Sequence, residues 1–173
     1  MQLTNISLLG NRLTGPIPKE IGNISTLEEI VLDFNQLSGH IPSELRALPR
    51  IEGIRLTSNN FSGELPETLA ELTTLKDLAI QASGMDGPIP SGIALLTNLT
   101  NLRISDLNGS QSTFPPLNNT KNLRILILRS CNIIGQLPDY LGTMTSLKVL
   151  SVDLTFSSSL LFAPPKTTKG LKF

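Results

Sequence analysis

The sequence predicts an α/β solenoid: a stack of short coils with a parallel sheet along one side. Three observations predict it. Apolar residues at Leu3, Leu27, Ile51, Leu75, Leu99, Leu123 and Leu147 recur every 24 residues without a slip. Behind each start the same offsets repeat, as in Leu27-x-x-Ile30-x-Leu32-x-x-Asn35-x-Leu37-x-Gly39-x-Ile41-Pro42-x-x-Leu45-x-x-Leu48. The 13 Gly and 12 Pro are spread along the chain rather than pooled in a linker. A period of this length marks a chain of stacked supersecondary units, none able to bury its apolar side chains alone.

Each unit opens with a strand, because apolar residues at Leu27, Ile30 and Leu32 fall on one face of a short extended segment. An Asn follows (Asn11, Asn35, Asn59) where the chain turns inward. Its amide both donates and accepts, so it can satisfy backbone groups that would otherwise be buried unpaired. Ser83, Cys131 and Thr155 take that place in other units and are expected to hydrogen-bond there, Cys only weakly. Gly then permits an unusual backbone angle and Pro ends the local pairing. An apolar pair (Leu45/Leu48, Leu69/Leu72) turns the return leg onto the same core. Burying each such side chain is worth roughly 1.5–3 kcal/mol, so stability comes from stacking.

Two units depart from the pattern. The fifth, 99–122, keeps its length, but Leu107 replaces the Asn and Gly109-Ser110-Gln111-Ser112-Thr113 replaces the Gly/Pro stretch. That predicts a coil that closes with a rewritten outer turn. The last unit begins at Leu147, Leu150 and Val152 and fails from Thr155 onward. The predicted organisation is therefore a solenoid over 1–155, about six full repeats plus a partial one, and a non-repeat tail over 156–173 that is either a makeshift cap or disordered. Entry directly on a repeat, with no polar cap, predicts a piece of a longer protein, poorly soluble unless a neighbour covers its ends.

Composition removes most chemistry. With 14 basic and 14 acidic side chains, the chain has no net charge and lacks the basic excess of a nucleic-acid binder. One Cys forms no internal disulfide, and one His without a carboxylate cluster argues against a metal centre. No cofactor is expected, and no apolar run approaches the roughly 18 residues of a spanning helix, so no membrane insertion by this segment is expected. Cys131 reads as a structural thiol and His40 as a solvated residue of the outer turn. Glu28 and Glu29, neighbours at a strand edge, read as solvated rather than as a catalytic pair.

The run L-x-x-L-x-L-x-x-N-x-L-x-G-x-I-P, carried best by residues 27–42, resembles the plant-type extracellular leucine-rich repeat, over about residues 3–155. That resemblance implies a solenoid with its parallel sheet on the concave side and short 3-10 or irregular segments on the convex side. The runs Asn101-Leu102-Arg103-Ile104-Ser105-Asp106-Leu107-Asn108-Gly109 and Cys131-Asn132-Ile133-Ile134-Gly135-Gln136-Leu137-Pro138 resemble the repeat region of plant receptor-like serine/threonine kinases that carry a malectin-like domain. The function implied is non-catalytic recognition at the cell surface. The partners implied are an extracellular peptide, oligosaccharide or protein ligand and a co-receptor, with any kinase outside this chain. A secreted repeat protein without a kinase, such as an inhibitor of a wall-degrading enzyme, is the alternative.

Residues between the core positions are expected to face outward and stack in columns from unit to unit. One column runs Val31, Arg55, Ala79, Arg103, Ile127, Ser151; the next runs Asp33, Thr57, Gln81, Ser105, Arg129, Asp153; a third holds Phe34, Ser58, Ala82, Asp106, Ser130. Arg55, Gln81, Arg103, Asp106 and Arg129 are the candidate binding residues. Arg103 and Arg129, on adjacent strands, could clamp a carboxylate or bond sugar hydroxyls; a mutually neutralised, solvated face is the bland reading. N-glycosylation sequons start at Asn5, Asn23, Asn60, Asn98, Asn108 and Asn118.

Overall fold

A computed structural model describes residues 2–155. Predicted features of the 156–173 tail, and the side chain of Thr155, lie outside the described residues. The first strands are β1 (Asn5–Ser7), β2 (Thr14–Gly15), β3 (Glu29–Val31), β4 (Gln36–Gly39), β5 (Gly53–Arg55) and β6 (Asn60–Phe61). They are followed by β7 (Asp77–Ile80), β8 (Asn101–Ser105), β9 (Ser112–Thr113), β10 (Ile125–Ile134) and β11 (Val149–Thr155). Five 3-10 helices lie on the return legs: η1 (Lys19–Asn23), η2 (Ser43–Ala47), η3 (Glu67–Glu71), η4 (Ser91–Leu95) and η5 (Asp139–Thr143).

The main sheet runs β1-β3-β5-β7-β8-β10-β11, all parallel. Its register is the sequence period made physical: Ile6 faces Ile30, Ile30 faces Ile54, Ile54 faces Leu78, Leu78 faces Leu102, and Leu102 faces Leu126. Identical offsets place identical residue types side by side, so the buried face is a continuous Leu/Ile column. Ile30, Ile54, Leu78, Leu102 and Leu126 are all at most 1% exposed. Each 3-10 helix starts behind a Pro whose carbonyl accepts its first bond, as from Leu45 N to Pro42 O at 3.2 Å, and closes on a carbonyl of its own, as from Leu48 N to Leu45 O at 3.1 Å. The helices stay short because poor hydrogen-bond geometry limits 3-10 runs.

A second line of parallel pairing runs along the flank, which the sequence reading did not foresee. Strands β2, β4 and β6 pair in order, the bridges Glu64–Asp86 and Asp86–Asn108 continue the line, and β9 pairs with the end of β10. Two rails of backbone bonds thus hold neighbouring coils together.

Between the rails the chain turns inward, and here the Asn ladder works as expected. Asn59 Nδ2 donates to Leu32 O (3.0 Å), Leu56 O (3.1 Å) and Thr57 O (3.3 Å), while Oδ1 accepts from Leu37 N (3.1 Å). Asn35 repeats the pattern one coil earlier, reaching Leu8 O at 2.9 Å and accepting from Leu13 N at 3.2 Å. Asn11, exposed, bonds only within its own coil, to Leu8 O and Leu9 O. The ladder then decays. Cys131 Sγ reaches Arg129 O at 3.2 Å and Ile104 O at 3.5 Å, and Leu107 is simply buried. Ser83 corrects the expectation: it is fully buried, but its hydroxyl has no hydrogen-bond partner. A hydroxyl on Cβ is shorter than a carboxamide and ends short of the neighbouring coil's backbone.

In the first six coils the residue before the ladder position is left-handed: Gly10 (φ 70°), Phe34 (57°), Ser58 (55°), Ala82 (47°), Asp106 (57°) and Ser130 (50°). For a non-glycine residue this costs on the order of 1–2 kcal/mol, so the inward turn is held by its surroundings rather than by local preference.

The fifth coil closes as expected, but its return leg has no 3-10 helix. Tyr140, from η5 in the next coil, takes over: its hydroxyl donates to Pro115 O (2.7 Å) and accepts from Leu117 N (3.0 Å). Its ring meets Phe114 edge-on with centroids 6.4 Å apart.

Asn59→Ala strips the Leu56 carbonyl and the Leu37 amide of their side-chain partner at a buried turn, while Leu32 O keeps Asn35 Nδ2 and Thr57 O keeps the Phe34 amide. It should cost about 2–4 kcal/mol in urea unfolding, whereas Ser83→Ala should be neutral or stabilising by up to about 1 kcal/mol. Tyr140→Phe should cost about 1 kcal/mol and speed hydrogen exchange at the Leu117 amide, leaving Leu78 and Leu102 amides protected.

Candidate functional site

The open face of the main sheet carries the predicted columns. Pairing sets Val31 beside Arg55, Arg55 beside Ala79, Ala79 beside Arg103, Arg103 beside Ile127, and Ile127 beside Ser151. Ser105 sits beside Arg129. Strand alternation puts these side chains opposite the core, and neighbouring strands set them about 4.8 Å apart.

The charges on this face are not equivalent. Asp33 is almost fully buried; its Oδ1 accepts from Thr57 N at 2.7 Å and its Oδ2 lies 3.2 Å from Arg55 Nε. Asp33 is therefore a structural anchor, and Arg55 is its counter-ion. Arg103 Nη1 is 3.2 Å from Asp77 Oδ1. Burial pushes the Asp77 carboxyl above its ordinary value despite the lowering charges of Arg103 and Arg55. Arg129 stands apart: its Nε is 3.9 Å from Asp153 Oδ2 and its side chain is 61% exposed. Asp106 accepts the Ser105 hydroxyl at 2.5 Å. Arg103 and Arg129 thus point to different carboxylates, and their neighbourhood is largely self-neutralised. Gln81 is half-buried beside Thr57 and Ser105 on the middle column.

The remaining candidates fall elsewhere. All six sequon asparagines (Asn5, Asn23, Asn60, Asn98, Asn108, Asn118) are exposed. Asn98 Nδ2 already donates to Thr73 O at 2.7 Å, and Asn5 Nδ2 donates to Glu29 Oε2 at 3.3 Å. His40 is exposed on the outer turn, laid over Gly63 so closely that a Cβ there would collide with its ring. Burial pushes the Cys131 thiol up to about 12, which suits a structural side chain and not a nucleophile. Among the described residues, no group of His, Cys, Asp and Glu side chains could hold a metal ion. Also among them, no helix is long and apolar enough to cross a membrane.

Comparison with known proteins agrees with this geometry. The Leucine Rich Repeat family model matches residues 2–24, 26–48 and 122–144. A probable LRR receptor-like serine/threonine-protein kinase of Arabidopsis thaliana is 50% identical over 48 residues, 28% of this chain and 5% of that protein. The leucine-rich repeat receptor-like kinase RGI4 of the same plant is 51% identical over 43 residues, 25% of this chain and 4% of that protein. Among solved structures, a TDR receptor superposes with a TM-score of 0.85 at 31% identity, over 89% of this chain and 27% of that one. The Arabidopsis receptor kinase HAESA, in complex with the peptide hormone IDA and the co-receptor SERK1, gives 0.81 at 28% identity over 88% and 26%. The SOBIR1 ectodomain of Arabidopsis gives 0.66 at 29% identity over 75% and 70%.

By period, register and these matches the chain is a leucine-rich-repeat solenoid. Its fold is that of plant receptor-kinase ectodomains, and it matches only about a twentieth of the curated relatives' length.

Arg55→Ala strips the partner from a buried carboxylate and should cost about 1–3 kcal/mol in thermal or urea unfolding. Arg129→Ala, at an exposed pair, should change stability by under about 0.5 kcal/mol. Such a split would mark Arg129, not Arg55, as the cation free to meet a ligand.

Proposed function

We propose that this chain is a ligand- or co-receptor-binding part of the ectodomain of a plant leucine-rich-repeat receptor-like serine/threonine kinase. It would act at the extracellular face of the plasma membrane and have no catalytic role of its own. The observation that carries this reading is the open sheet face, where side chains stand in register on a scaffold already paired along two rails. A preformed face orders little backbone on binding, so little of the contact energy is lost to conformational entropy. Structural neighbours crystallised with a peptide hormone, such as HAESA and the receptor RGFR1 with RGF2, support the same reading. The malectin-like subgroup remains a proposal resting on residues 101–142. So does the division into a 1–155 solenoid and a 156–173 tail.

Arg55, Gln81, Arg103, Asp106 and Arg129 are the proposed binding residues, with Arg55 and Arg103 partly committed to Asp33 and Asp77. Glycosylation at the six exposed sequons fits an extracellular setting. The alternative, a secreted inhibitor of a wall-degrading enzyme, would favour an acidic or aromatic open face; the described columns are mixed, with Phe34 their one aromatic.

Sequencing of the full-length transcript tests the assignment: a membrane span and kinase domain downstream are expected, and a secreted product ending in repeats would overturn it. Pull-down from an apoplastic extract tests binding. A partner should be retained by the unmodified chain and lost with the combined Arg103→Ala and Arg129→Ala substitutions. Undiminished retention would remove the proposed residues.

A further inference from the structure

The outward columns change character at the sixth coil. In coils three to five they are polar, charged or small, and coil two adds only Val31 and the separate ring of Phe34. In β10 they become Ile125 and Ile127, two residues apart on the open face, with Val149 of β11 paired directly beside Ile125. Val149 is 43% exposed, and both isoleucines are partly exposed. These side chains have no role in the core, which lies on the opposite face at Leu126 and Leu128, both fully buried. Such an aliphatic strip on an open sheet is a surface that a partner can cover.

Its rim is cationic. Arg124 and Lys148 precede the two strands, are both exposed, and form no ion pair among the described residues. Arg103 lies beside Ile127, and the loosely paired Arg129 lies two residues beyond it. Of the nearby acids, Asp77 takes up Arg103, while Asp106 and Asp153 sit at the far edge, where one takes the Ser105 hydroxyl and the other faces Arg129.

We propose that the Ile125–Ile127–Val149 strip is the anchor point for an extended peptide that carries a branched aliphatic side chain within two residues of a carboxylate, the carboxylate meeting Arg129. This rests on the open-face reading above and specifies its ligand. An oligosaccharide is disfavoured because sugar faces dock on flat aromatic rings, and Phe34, the one aromatic in the described columns, is four coils away. The chain's own tail is disfavoured by charge: residues 156–173 carry Lys166, Lys169 and Lys172 and no acid, the same sign as the rim. An aliphatic side chain and a carboxylate two residues apart along an extended strand are separated by about 6.6 Å, the span from Ile127 to Arg129 along β10.

The test is selection of a displayed library of random linear peptides on the full 173-residue chain, followed by titration of the enriched peptides against variants. Ile127→Asp places a like charge where the carboxylate should approach, and Arg129→Ala removes its partner. Both positions face out, so melting curves should match the unmodified chain. The expected result is enrichment of aliphatic–acidic pairs whose binding weakens about tenfold or more with each variant, and weakens as salt rises. Enriched peptides lacking that pair, or binding Ile127→Asp unchanged, would overturn the proposal. If their binding depended instead on Gln81, the open-face reading would stand and this location would fail. Peptides indifferent to every column, or none enriched, would remove both. Binding that emerges only when Leu160, Leu161 and Phe162 are replaced by Ser would show the tail to be the occupant, and the proposal to be wrong.

Discussion

Once per coil the backbone must enter the core, at the turn behind the main strand, where no water reaches it. Every buried carbonyl and amide at that turn needs a partner, and the partner must come from within the stack. In the second and third coils one carboxamide meets much of that demand, beside the backbone bonds to the next coil: three donor contacts inward and across, one acceptor contact to the preceding coil. The left-handed residue ahead of it is unfavourable alone and is tolerated because this network holds it. Strand register, turn geometry and the outward columns all follow from closing that turn identically in each coil.

The later coils show what happens as the carboxamide is replaced. Serine occupies the space and leaves a hydroxyl unpaired; leucine abandons the polar contact; cysteine restores a weak one. Local compensation appears where it is needed. The fifth coil, which lacks both the Asn and a helix on its return leg, is tied to its neighbour by the Tyr140 hydroxyl and the edge-on Phe114 contact. Burial raises the Tyr140 phenol above its ordinary value, so it remains a protonated donor across the physiological range. The second parallel rail along the flank spreads the load further, since coils are joined at two lines.

Function in such a scaffold lies on the face the core does not use. Alternation separates the two jobs: over Ile125–Arg129 the even positions of β10 build the interior and the odd ones are free to differ, and past the turn at Ser130 the phase flips, so that Cys131 and Ile133 point inward. Charge on that face is partly structural. Asp33 is buried and held by a backbone amide, so its pairing with Arg55 belongs to the fold as much as to the surface. Arg129 and the aliphatic residues beside it have no comparable structural duty.

How much was legible beforehand follows from the distance over which each feature is decided. Period, strand positions and the outward columns are encoded within one unit and repeated, so spacing alone determined them, whereas the prolines were legible only as ends of local pairing and their place ahead of each 3-10 helix came from the structure. The coil without its motif could be located by length, because closure of a stack permits no slip. What only the tertiary structure decided are contacts between units 22 to 27 residues apart whose partners vary: the Tyr140 bridge, the idle hydroxyl of Ser83, and the choice of Asp77 rather than Asp106 by Arg103. Side-chain reach and burial settle such choices, and neither is written in a single repeat; a period says which residues become neighbours, while packing decides which of them bond.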